Sequence, residues 1–167
     1  FTAKGDFVVS HELADKIKKR MQEMVDAKTP IQKHSMALDD AVALFAKQGM
    51  KDKQRLCKFR RSSLINVYDI EGYYDYFYGY MLPDMGYVKL FDVIAYNNGF
   101  VLNLPRKSAP NELKDFVPLE KLFHTMMEAT DWSEKLEIDT VGELNERICN
   151  GGLNEMILVQ EALQERK

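Results

Sequence analysis

Apolar residues recur every three to four positions through "SHELADKIKKRMQEMVDAK", at Leu13, Ile17, Met21, Met24 and Val25, and this spacing predicts an amphipathic helix. Ser10 stands where an N-cap belongs, Glu12 suits the positive end of the helix, and Pro30 forbids continuation. "PIQKHSM" reads as a short strand, and "LDDAVALFAKQG" as a second helix with acids at its start and Gly49 in the stop position. From Ser62 the period shortens. "SLINVYDI" is β-branched and aromatic, as a strand should be. "YVKLFDVIAY" and "FVLNLP" flank "NNG", a hairpin signal because Asn and Gly tolerate positive φ. These strands predict one antiparallel sheet covered by the two early helices, with residues 71–86 as a loop or irregular edge between two of them.

After Pro105 the pattern turns helical. "PLEKLFHTMMEATDW" carries Pro118 near its first turn, Thr140 and Glu143 form a capping-box pattern, and "NGG" at 150–152 stops that helix. "LNEMILVQEALQERK" is a last amphipathic helix running to the C-terminus. The expected class is therefore α+β, an antiparallel sheet packed against helices, in residues 1–105, followed by a helical segment over 106–167.

Composition narrows the function without naming it. The 167 residues are 46% hydrophobic and 29% charged, as in an ordinary globular protein, and the net charge of -3 gives no global pull toward nucleic acid. No apolar run approaches the ~20 residues needed to span a bilayer, so no membrane partner is expected, and cytoplasmic residence is the default. Cys57 and Cys149 have no CxxC company, and His11, His34 and His124 each sit alone on a different element. No glycine-rich loop ends in Lys and Ser or Thr, so no phosphate cradle is present; the Gly151–Gly152 pair falls between helices. No catalytic residue, metal ligand or cofactor is assigned in this chain.

Two stretches stand apart. Between Tyr68 and Tyr80 lie six of the eight tyrosines, interleaved with Asp75 and punctuated by Gly72 and Gly79. Packing, a small-molecule or nucleotide pocket, and a stacking surface for RNA are all open readings. The pocket would join Tyr73, Asp75, Tyr76, Tyr78 and Tyr80, with rings stacking and the carboxylate fixing a polar edge. "KDKQRLCKFRR" sets Lys51, Lys53, Arg55, Lys58, Arg60 and Arg61 against the single acid Asp52. It is either a solvated helix face or an anion and RNA patch.

From Ser10 to Pro105 the order of these pieces, and above all "INVYDIEGYYDYFYGYMLPDMGYVKLFDV", resembles the second additional domain of threonyl-tRNA synthetases. It is still more similar to the copy of that domain at the front of bacterial uridine kinase-like proteins. In those proteins a helical segment similar to "DTVGELNERICNGGLNEMILVQEALQERK" precedes a P-loop kinase domain. The synthetase resemblance implies editing residues in the tyrosine loop: an Asp, a Cys two positions on and a His four further. Here those positions are Asp75, Phe77 and Met81, framed by Gly79, Pro83 and Gly86, and the chain has no HxxxH pair.

The resemblance therefore implies a non-catalytic, N-terminally incomplete domain of a uridine kinase-like protein. Its partner would be a kinase domain beyond Lys167 that uses ATP and Mg²⁺ to phosphorylate a nucleoside. A nucleoside or nucleotide ligand for the tyrosine loop goes with that reading. The alternative is an RNA-binding or tRNA-editing-type domain derived from threonyl-tRNA synthetase, and RNA is the less favoured partner.

Overall fold

The computed structural model describes residues 1–3 and 8–165. The elements follow the chain as α1 (His11–Asp26), β1 (Gln32–Ala37), α2 (Leu38–Lys47), α3 (Lys51–Cys57), β2 (Leu64–Ile70), β3 (Tyr73–Tyr76), β4 (Asp92–Tyr96), β5 (Gly99–Asn103), α4 (Glu120–Lys135), α5 (Val141–Cys149) and α6 (Leu153–Glu165). The class is α+β, with a helical C-terminal segment and two small antiparallel sheets, one ordered β1-β2-β3 and the other β4-β5. The chain forms two compact units, Phe1–Gln32 with Asp69–Gly72 and Gly79–Pro118, and Lys33–Tyr68 with Tyr73–Tyr78 and Leu119–Lys167.

In the first unit the Ser10 hydroxyl accepts the Leu13 N–H at 3.2 Å and starts α1. The apolar stripe of α1 lies on the β4-β5 hairpin, where Ala14 and Val25 are buried with Phe91 and Val93. Hairpin register sets Ile94 opposite Val101 and Tyr96 opposite Gly99, and Asn97 takes the left-handed turn at φ 50°. Lys18 of α1 pairs with Asp92 at 2.7 Å on the rim.

In the second unit α2 and α3 bury Ala41, Phe45 and Cys57 against Ile65 and Val67 of β2. Gly49 ends α2 at φ 74°, as its stop position requires. α5 begins with the expected capping box: Thr140 accepts the Glu143 N–H at 3.3 Å, while Glu143 accepts the Thr140 N–H at 3.0 Å. Among the described residues after Pro118 there is no strand. The expected continuation of α6 to Lys167 lies outside the described residues.

One expectation is corrected: the strands divide between two sheets instead of forming one. Residues 71–86, expected as a loop or irregular edge, carry the short edge strand β3 at Tyr73–Tyr76. Glu71 and Gly72 make the turn into it at φ 52° and 83°, and the Asp69 carboxylate accepts the Gly72 N–H at 2.7 Å. A non-glycine residue rarely leads such a turn, and aromatic residues on both faces of β3 erase the two-residue alternation that marks a strand.

Candidate functional site

Strand β3 is an edge strand, reached by Gln48 at the end of α2 and by Lys53 of α3. At the end of α2 the Gln48 amide bonds the Tyr74 backbone twice, donating to its carbonyl at 2.6 Å and accepting its N–H at 2.8 Å. Alternation directs Tyr74 and Tyr76 toward the core cluster of Phe45 and Val67, against which both pack half-buried. Tyr73 stays 58% exposed, and beyond the strand Phe77 and Tyr78 are 47% and 88% exposed.

The candidate pocket residues of the second unit meet different neighbours. Asp75 turns to α3, where Lys53 holds its carboxylate at 3.1 Å, and the same oxygen accepts the Tyr76 N–H at 2.7 Å. Tyr76 lies beneath the Arg60 guanidinium, 4.9 Å from the ring centroid. Phe77 meets the buried Tyr68 edge-on at 6.3 Å. Tyr80, 92% exposed, belongs to the first unit. What β3 does bring together is Lys53, Asp75, Tyr76 and Arg60.

The basic run is largely committed to partners. Arg55 pairs with Glu143 and, at 3.9 Å, with Glu146; Lys58 reaches Glu146 at 3.0 Å. Helix α5 comes this close to α3 because Gly142 has no side chain: a Cβ there would stand 2.7 Å from the Arg55 Cβ and 3.0 Å from the Leu56 backbone nitrogen. Lys51 and Arg61 remain exposed. The Glu143 carboxyl sits below its ordinary value of 4.5: partial burial raises it, but the Thr140 hydroxyl, the Thr140 N–H, the Arg55 charge and the Asp139 N–H together outweigh that. Burial pushes the Cys57 thiol up against the opposing charges of Arg60 and Lys53, so it is a packed thiol and not an activated one.

Residue-by-residue reading did not single out Gln48, Tyr74 or Glu146, and it gave Glu143 only its capping role. One signal was available. Arg55 and Lys58 are three apart on one helix, and Glu143 and Glu146 are three apart on another, a complementary spacing. His34, read as a lone histidine, lies 5.9 Å ring to ring from Tyr74, at a shallow recess of about 400 Å³ shared with Met36, Asp40 and Lys47. Among the described residues no three or more His, Cys, Asp or Glu side chains are placed to hold a metal ion. No helix of the described residues is long and apolar enough to cross a membrane.

The fold and this site describe an α+β chain whose tyrosine strand is braced by a basic helix. No family model matches the chain. The threonine–tRNA ligase of Syntrophotalea carbinolica is 34% identical over 90 residues, which are 54% of this chain and 14% of the relative. The threonine–tRNA ligase of Nitratidesulfovibrio vulgaris, strain Hildenborough, is 30% identical over 86 residues, 52% of this chain and 13% of the relative. The chain thus matches about a seventh of the length of these curated relatives. None of them is a nucleoside kinase.

Proposed function

We propose that this chain carries a threonyl-tRNA synthetase-type additional domain that recognises tRNA without performing editing chemistry. The observation that carries the reading is the 30–34% identity to threonine–tRNA ligases over about half the chain. The loss of editing follows from chemistry. Phe77 and Met81 occupy the positions that the synthetase resemblance gives to Cys and His. A phenyl ring and a thioether neither titrate nor hold a water for attack on an ester. Asp75, engaged by Lys53, is left without those two partners.

The test is binding of labelled threonine tRNA by the full chain, in competition with an unrelated tRNA. We expect saturable binding that the unrelated tRNA displaces only at higher concentration. Equal displacement, with binding that vanishes at moderate salt, would reduce the contact to unspecific attraction.

A second reading places the same domain ahead of a P-loop kinase domain that uses ATP and Mg²⁺ on a nucleoside. It rests on the resemblance of the stretch that forms α5 and α6 to the helical connecting segment of the kinase-like proteins. The gene sequence following Lys167 tests it. A GxxxxGK[ST] motif soon after that point supports the kinase parent, and its absence removes it.

A further inference from the structure

Packing accounts for Tyr74 and Tyr76, and the edge-on contact with Tyr68 accounts for one side of Phe77. It does not account for Tyr78, which holds its phenol ring 88% exposed. A ring so exposed forfeits the burial that makes aromatic residues worth placing. The charge beside these rings is also unbalanced. Arg60 lies over Tyr76, its guanidinium carbon 4.9 Å from the ring centroid. Its Nε is shut off from solvent and has no hydrogen-bond partner. No carboxylate is paired with it among the described residues, since Asp75 is taken by Lys53. The adjoining Arg61 is exposed. A guanidinium held over an aromatic face and short of a counter-charge, with the exposed Tyr78 two residues along the chain from that face, complements a phosphate joined to a nucleobase.

We propose that Arg60, Tyr76, Phe77 and Tyr78 form a stacking surface for single-stranded nucleic acid. A phosphate supplies the counter-charge at the outer edge of the Arg60 guanidinium, and bases stack on the Tyr78 and Phe77 rings. This rests on the RNA-recognition reading and names the surface that would serve it. It also moves the anchor from Asp75 to Arg60. The neutralised carboxylate no longer repels phosphate, and the preference for sequence is weak because every base has a stacking face.

The test uses the full chain with two probes, a fluorescein-labelled oligouridylate read by anisotropy and uridine monophosphate read by quenching of tyrosine fluorescence. The strand surface requires the oligonucleotide to bind at least about tenfold more tightly than the mononucleotide, because several bases stack at once. Tyr78→Ala should weaken the oligonucleotide about fivefold or more, while Tyr78→Phe keeps the ring and the affinity. Arg60→Lys keeps the charge but loses the planar fork; it should weaken binding and leave the salt slope unchanged. Tyr78 is so exposed that its variants are not expected to unfold the chain, which keeps the test valid if Arg60→Lys melts.

Three results overturn the surface: Tyr78→Ala binding like the wild type, equal affinity for the two probes, or no saturable binding of the oligonucleotide. Threonine tRNA binding tests the domain separately. If tRNA binds and Tyr78→Ala does not weaken it, the surface fails and the domain reading stands. If the oligonucleotide binds through Tyr78 and threonine tRNA is not preferred, the domain reading fails and the surface stands.

Discussion

Gln48 pairs with Tyr74 as a neighbouring strand would, its side-chain amide taking both the N–H and the carbonyl of one residue in an edge strand. Strand β3 has β2 on one side only, so these groups would otherwise face the half-buried end of α2 without partners. Gln48→Ala should cost about 1–3 kcal/mol, the penalty for leaving such groups unsatisfied. Urea unfolding measures the loss, and faster amide exchange confined to Tyr74 and its neighbours would place it. Unchanged exchange there would show that Gln48 does not hold the strand.

Gly142→Ala should also destabilise the chain, although alanine is the better helix former by about 1 kcal/mol. The added methyl would meet the Arg55 side chain at 2.7 Å and the backbone of Leu56 at 3.0 Å, so α5 must back away from α3. We expect a net loss of about 1–3 kcal/mol in chemical denaturation, as for other overpacked seams. A gain in stability would show that the seam yields freely.

Glu143 and Glu146 neutralise Arg55 and Lys58 across that seam. Replacing both acids by glutamine keeps the capping box, since glutamine serves at that position as well. It returns the two cations to solvent. Retention on heparin should rise, and the salt dependence of RNA binding should steepen by about 1–2 units, roughly one for each cation released. Identical retention would mean that the cations are held back by something other than these carboxylates.

Acid should loosen the same contact. The folded carboxyl of Glu143 lies below the ordinary 4.5, so its contribution is fully present above that value and is lost as the pH falls through the lower, folded one. Thermal melts of the wild type and Glu143→Gln should therefore converge below pH 4.5 and differ most near neutrality. Parallel curves across the whole range would remove Glu143 from the linkage.

The elements legible in the sequence were those that local chemistry defines. Ser10 caps α1, Asn97 turns the β4-β5 hairpin, and Thr140 with Glu143 opens α5, each within a few residues of its partner. Strand β3 was hidden because tyrosines occupy both of its faces and Glu71 leads its turn in place of a glycine or asparagine. The environment of the basic run was hidden for another reason. Arg55 meets Glu143 across 88 residues of chain, and no local pattern reports which helix will cover which. The surroundings of Asp75 met the same limit. Whether a carboxylate on a strand faces its tyrosines or a lysine depends on the helix laid beside it, and here Lys53 is the residue beside it.

Seryl-tRNA, mischarged on a threonine tRNA and incubated with the full chain, gives the most direct measurement of whether this is a tRNA-recognising domain without editing chemistry. Filter retention reports binding, and free serine reports hydrolysis in the same sample. We expect the tRNA to be retained while serine is released no faster than in buffer, because Phe77 and Met81 supply neither a base nor a nucleophile. Serine release that follows the polypeptide through purification, or failure to retain the tRNA even at low salt, would contradict it.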